Sequence, residues 1–285
     1  MPIEAFPLVD NEARVQQREQ LCEQAVALIR SRGDIIPNTA IILGSGLGGL
    51  AAKIDRPTAI SYGDIPGFAR STVGGHGGQL ILGFLGGTAI VAMAGRFHRY
   101  EGWSNDQVTF PVRVMRQLGA QRLIVSNAAG GVSPKLSIGN VVIIRDHINL
   151  MGGLSLGSGP AWQLSPLHHG DIYDREMSAI ARRTGVQYRF TAVEGTYLAT
   201  LGPTYETRSE YRMMRRMGAD VAGMSTVPEV LAATSIGMKV LGLSMVTNVA
   251  NPDQAIKADH TEVLKAGQAA AVKMEAIVRA VLSEQ

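Results

Sequence analysis

Short apolar runs that end in clusters of glycine and small polar residues, spaced by helix-patterned stretches, constrain this chain more than any other feature. Thr39-Ala-Ile-Ile-Leu runs into Gly44-Ser-Gly-Leu-Gly-Gly, Arg122-Leu-Ile-Val-Ser into Asn127-Ala-Ala-Gly-Gly, and Lys239 to Val246 into Thr247-Asn248. An apolar run too short for a helix and bounded by glycine reads as a buried strand feeding a tight loop. Asn140-Val-Val-Ile-Ile is a further buried strand, and further strands are predicted near Phe190 to Val193 and Tyr197 to Leu201. Residues 79 to 94 read as two strands joined at Gly86-Gly87, a hairpin.

Between these runs lie helix patterns. One is amphipathic from Glu12 to Arg32 and closes at Gly33; another covers Asn105 to Leu118, with Pro111 early in it and Gly119 beyond its end. Thr207-x-x-Glu210 and Thr226-x-x-Glu229 both read as capping boxes that open helices, and Thr261 to Leu282 is a long alanine-rich helix. Strands alternating with helices, with no linker, predict one α/β domain over residues 1–285: a twisted, mostly parallel or mixed central β-sheet flanked by helices. Residues 1–10 are expected to be an N-terminal tail and 151–170, rich in Gly, Ser and Pro, an atypical loop.

Composition narrows the function. Hydrophobic residues make up 46% and charged residues 18%, a globular balance, and the 33 glycines have no collagen-like period. A net charge of +3, spread along the chain, gives no basic patch and hence no expectation of nucleic-acid binding. One cysteine, Cys22, excludes an internal disulfide and a multi-cysteine zinc site, and its helical context points to a buried or half-buried thiol. His168-His169 point apart on a strand and lack a nearby carboxylate pair, so no metal is expected. No stretch reaches the roughly 18 apolar residues of a membrane span, and no signal peptide is read, which predicts a cytoplasmic protein without a membrane partner.

The strand ends carry the chemistry. Gly44 to Gly49 matches G-x-G-x-x-G, open to three readings: a dinucleotide fingerprint, a simpler anion loop using Ser45, or a structural turn. Against the first, the acid expected roughly 20 residues on gives way to Tyr62-Gly63-Asp64-Ile65-Pro66. Arg96-Phe-His-Arg-Tyr follows directly on a strand, where Arg96 can hold a phosphate and His98 can donate to it; a solvated charged loop is the alternative. Ser225 sits at a helix start, where N–H groups favour an anion, or where a helix is merely well capped. Glu206, before another helix, has helix-dipole stabilisation as its plain role. Four or more such strand ends converging on one crevice predict a phosphate-handling enzyme.

Taken together, GSGLG at 44–48, GRFHRYEG at 95–102, SNAAGG at 126–131, EGTYLATLGPTYET at 194–207, GADVAGMSTVPEV at 218–230 and TN at 247–248 resemble the trimeric purine nucleoside phosphorylases over roughly residues 20 to 280. The resemblance implies reversible phosphorolysis of 6-oxopurine nucleosides, such as inosine and guanosine, to free base and α-D-ribose 1-phosphate. Inorganic phosphate is the co-substrate, no cofactor is needed, and the assembly is a homotrimer. It also implies a phosphate site of Ser45, His76, Arg96, His98, the Ala128 backbone and Ser225. Tyr100, Met224 and His260 match its ribose contacts. Tyr205 stacks on the base, Glu206 accepts from purine N1–H and Asn248 bonds N7 and O6, so that Asn248, Glu206 and His98 are the catalytic candidates. One departure stands out: Asp146-His-Ile-Asn149 is followed by Met151 to Pro160 in place of the family's Asn-Pro-Leu segment, with Trp162 as the candidate replacement for its aromatic. That change bears on the ribose end and keeps a methylthioinosine or methylthioadenosine phosphorylase in play, alongside a non-catalytic nucleotide binder.

Overall fold

The structure, a computed structural model, describes residues 11–44, 47–69, 77–152, 170–251, 253 and 260–284, without the side chains of 11–14 and 260–270. Nine strands form its frame: β1 (Thr39–Leu43), β2 (Asp55–Ser61), β3 (Gln79–Leu85), β4 (Thr88–Ala94), β5 (Arg122–Gly131), β6 (Val141–Asn149), β7 (Ala192–Ala199), β8 (Val221–Gly223) and β9 (Lys239–Val249). Among the described residues six α-helices surround them: α1 (Asn11–Arg32), α2 (Asn105–Leu118), α3 (Arg175–Gln187), α4 (Arg208–Met217), α5 (Val227–Ser235) and α6 (His260–Ser283).

The strand order is β2-β3-β4-β1-β5-β8-β7-β6-β9, and β9 returns to pair with β5. One half is therefore an ordinary sheet, while β5, β8, β7, β6 and β9 close into a ring, in which no member is left as a free edge. The sheet is mixed. β1 runs parallel to β4 and β5, and β5 to β9, but β2–β3, β3–β4, β5–β8 and β6–β9 are antiparallel.

Alternation of side chains explains the layers. Ala40 and Ile42 of β1, with Leu123 and Val125 of β5, pack on one face against Ile29 of α1, Val112 of α2 and Val230 of α5. Ile41, Leu43 and Ile124 pack on the other against Ile180 of α3 and Ile277 of α6. Strands covered on both faces must be apolar throughout, which is why the runs lack a polar period.

The hairpin falls where expected: Gly86 and Gly87 take φ 60° and 84°, the positive pair that a two-residue turn between Leu85 and Thr88 requires. Ser104 and Gln107 cap α2 reciprocally, and Thr207 and Glu210 do the same for α4. Cys22 is buried in α1, and burial pushes its thiol up to about 11, so it is protonated and inert.

Three expectations need correction. The two strands read at 190–201 are one, β7; its Gly195 permits a close approach, since a Cβ there would lie 2.8 Å from Val142 Cγ1. The dinucleotide fingerprint fails because β2 pairs antiparallel with β3, and the glycines lead into a short 3-10 turn at Gly48–Lys53 in place of the helix that the motif needs. Thr226 does not cap α5 with its side chain, and Glu229 turns elsewhere.

Candidate active site

The carboxyl ends of β1, β4, β5 and β9 lie side by side in parallel register, with Gly223 at the end of β8 beside them. The glycines there allow close approach. A Cβ on Gly44 would lie 2.1 Å from the Ser126 carbonyl oxygen, and one on Gly223 would lie 2.4 Å from the Tyr197 hydroxyl. Gly44→Ala is expected to force β1 from β5, destabilising by about 1–3 kcal/mol. A melting curve should show this as a Tm lower by about 3–10 °C; an unchanged Tm would contradict the packing.

Arg96 follows β4 and is only 2% exposed. Its Nη1 donates to Ser225 Oγ (2.7 Å) and Thr226 Oγ1 (2.9 Å), and its Nη2 donates to the Ser126 carbonyl (2.6 Å). Its Nε lies 3.6 Å from the Glu229 carboxylate, itself 2% exposed, so a buried ion pair holds the guanidinium from behind. Ser126 Oγ accepts from Gly44 N and donates to the Ile42 carbonyl, tying the loop after β1 to the same cluster. Thr226 has φ 76° and ψ −53°, and Val227 N donates to the Ser225 carbonyl across it at 2.8 Å. This is a γ-turn in a region that a β-branched residue rarely enters, at a cost of about 1–3 kcal/mol.

His98 comes next along the chain. Both its backbone N–H (2.8 Å) and its ring Nδ1 (2.9 Å) meet Glu101 Oε1, which favours the proton on Nδ1 and leaves Nε2 for other partners. Its ring stacks on Tyr100 at 4.7 Å. A Cβ on Gly202 would lie 2.4 Å from Met224 Sδ and 3.4 Å from a Tyr100 ring carbon, so Tyr100, Gly202 and Met224 share one spot.

A second corner is acidic and amide. Glu206 accepts from Thr200 Oγ1 (3.2 Å) and from the Tyr211 hydroxyl (3.0 Å), one on each oxygen. Burial first, and then the charge of Glu206, hold the Tyr211 phenol above its usual range, so it remains a donor. The Thr247 hydroxyl proton is shared between Asn248 Oδ1 (3.1 Å) and the Ala129 carbonyl (3.3 Å), so Oδ1 faces the protein and Nδ2 is the end offered to a ligand. A Cβ on Gly130 would lie 3.5 Å from Asn248 Nδ2 and 3.7 Å from the Tyr211 hydroxyl, so the amide and the Glu206–Tyr211 pair flank the same glycine.

Arg96 and Ser225 are thus joined directly, as their strand-end placement predicted, and Ala128 lies on β5 within the same strand end. Tyr205 is 67% exposed. Ser45, His76, Trp162 and the side chain of His260 lie outside the described residues. The sequence reading singled out Asn127 at the end of its strand and missed Glu101, Ser126, Thr200, Tyr211, Thr226 and Glu229. Of these, only the Thr226–Glu229 pair carried a visible signal, and it read as a helix cap.

The phosphorylase superfamily profile matches residues 38–283. Purine nucleoside phosphorylase of Rattus norvegicus is 47% identical over 88% of this chain and 90% of its own, and purine nucleoside phosphorylase 1 of Bacillus subtilis is 46% identical over 86% and 93%. Among solved structures, a schistosoma purine nucleoside phosphorylase in complex with hypoxanthine superposes with a TM-score of 0.85 at 38% identity, covering 93% of this chain and 97% of that one. Identity at this level over nearly the whole length, joined to a matching fold, means that the chain belongs to the phosphorylase superfamily and, within it, to the purine nucleoside phosphorylases.

Proposed function

We propose that the chain acts as one phosphorylase domain that cleaves 6-oxopurine nucleosides reversibly, taking phosphate at the Arg96–Ser225 cluster and the base between Glu206 and Asn248. The observation that carries this reading is the pairing of two differently built corners. One is a buried guanidinium ringed by hydroxyls, suited to an oxyanion; the other is a carboxylate and a carboxamide held by their neighbours.

The chemistry follows from those groups. Breaking the N-glycosidic bond leaves an oxocarbenium-like sugar and puts negative charge on the departing purine. Asn248 Nδ2 can donate to N7 as that charge builds, with no proton transfer required. Phosphate attacks C1′ from the Arg96 side, its C–O bond forming as the C–N bond breaks. Ser45, His76, Arg96, His98, Ser225 and the Ala128 backbone act by holding it in place. Glu206 offers acceptors, so it pairs with the N1–H of a 6-oxopurine, whereas adenine presents an acceptor there and sets a lone pair against the carboxylate. Tyr100 and Met224, adjacent across Gly202, suit the ribose, with His260 at its 5′ end and Tyr205 against the base.

No cofactor enters this scheme; among the described residues no group of three or more His, Cys, Asp or Glu is placed to hold a metal ion. Exposed Leu150 and Leu201, just beyond β6 and β7, support an assembly through this end of the ring, which we read as a homotrimer. No described helix is long and apolar enough to cross a membrane, in keeping with work in the cytoplasm on small soluble substrates.

The test is phosphate-dependent release of free base from inosine, guanosine, adenosine and methylthioinosine in parallel. Inosine and guanosine are expected to turn over and adenosine to lag by about 10²-fold or more in kcat/KM. Turnover of the methylthio substrate alone would transfer the assignment to the methylthionucleoside branch.

A further inference from the structure

The hydroxyls of Ser225 and Thr226 form part of a circuit whose protons can be counted. Arg96 Nη1 carries two protons and gives one to Ser225 Oγ (2.7 Å) and one to Thr226 Oγ1 (2.9 Å). Thr226 Oγ1 also accepts from Asn127 Nδ2 at 2.9 Å. With both lone pairs of Thr226 engaged, only its own proton is left for the 3.1 Å contact with Ser225 Oγ. Ser225 Oγ therefore accepts twice, from Arg96 and from Thr226, and its own proton is left for the Tyr197 hydroxyl beside it or for a ligand.

We infer that Thr226 is a positioning residue that fills the second lone pair of Ser225 Oγ, so that Ser225 is left as a donor and gives its proton to bound phosphate in place of Tyr197. This rests on the reading of the Arg96–Ser225 cluster as the phosphate site. A second, independent feature supports it. Consecutive side chains on extended backbone point to opposite sides, yet both hydroxyls reach one guanidinium nitrogen. The γ-turn at Thr226, with φ 76°, is what brings them together. A backbone held in so unfavourable a region needs surrounding contacts to sustain it, and Arg96, Asn127 and the 2.8 Å Val227–Ser225 bond supply them. Opposite polarity, with the Asn127 amide turned to present Oδ1 and Thr226 donating to it, would point the Ser225 proton inward and present a lone pair to an anion.

The experiment measures phosphate KM and kcat at saturating inosine. Ser225→Ala is expected to raise the phosphate KM about tenfold, the scale of one hydrogen bond to a charged group. Thr226→Val, which keeps the branched shape, should raise it to a similar extent with kcat changed by less than about threefold, and Thr226→Ser should restore it. Thr226→Gly, which relieves the positive φ and still lacks the hydroxyl, should behave as Thr226→Val does and stands in if the valine variant folds poorly. The double variant Ser225→Ala/Thr226→Val should be no worse than Ser225→Ala, because Thr226 acts through Ser225. A wild-type KM in Ser225→Ala would overturn the phosphate reading itself. A raised KM in Ser225→Ala with a wild-type or lowered KM in Thr226→Val or Thr226→Gly would leave that reading standing and overturn the role of Thr226. Fully additive losses in the double variant would overturn it equally.

Discussion

Asn248→Ala is expected to lower kcat for inosine phosphorolysis about 10²–10³-fold, the usual cost of removing one preorganised donor aimed at developing charge. The size of the effect follows from when the interaction matters. Neutral purine N7 is a modest acceptor in the bound nucleoside and a strong one as the base departs, so the amide is worth more in the transition state than in the ground state. Binding should therefore change little. The phosphate KM should stay near wild type, because Asn248 is bonded to Thr247 and flanks Gly130, with no link to the Arg96 cluster in the described hydrogen bonds. Asn248→Asp, the same shape with acceptors only, should be at least as impaired. Steady-state rates at saturating phosphate decide the matter: a loss in kcat below about tenfold would remove Asn248 from the leaving-group role.

Glu229→Ala is expected to be the most destabilising single change near the site, at about 3–5 kcal/mol, because it removes a buried carboxylate that lies against a buried guanidinium. At about 2–4 °C per kcal/mol this is a fall in Tm of roughly 6–20 °C. Phosphate gives the variant a signature that a simple cavity lacks. In the wild type a bound dianion meets an Arg96 already balanced by Glu229; in the variant it becomes the main counter-charge. Saturating phosphate should therefore raise the Tm of Glu229→Ala by more than it raises that of the wild type. Equal phosphate-induced shifts would mean that Glu229 contributes packing and not charge balance.

Glu229 also shows where reading along the chain stops being sufficient. Thr207-x-x-Glu210 and Thr226-x-x-Glu229 carry the same signature, and only the first is a reciprocal cap. The difference lies in what else is nearby. Among the described residues nothing competes for Glu210, whereas Arg96, 130 positions from Thr226 in the chain, is buried against both Thr226 and Glu229. A buried guanidinium demands acceptors more strongly than a helix end demands a cap, so the long-range partner wins over the local motif. Tyr211 was invisible for a different reason. It lies only 5 positions after Glu206, but nothing in the residue pattern shows that the turn into α4 brings its hydroxyl back onto that carboxylate.

What could be read from the residues alone was governed by short-range rules. Apolar runs between glycines became β1, β5 and β9, Gly86-Gly87 became the hairpin turn, and the strand-end motifs of Arg96 and Ser225 reached one cluster. These follow because burial on both faces, positive φ and a strand's carboxyl end each leave a mark within a few residues. Closure of β5 through β9 into a ring, the antiparallel pairing of β6 with β9, and the polarity of the Thr226–Ser225 circuit left no such mark. Pairing partners of interior strands are interchangeable in composition, and a hydroxyl's direction depends on which of its neighbours already donate; both are decided only when distant segments meet in three dimensions.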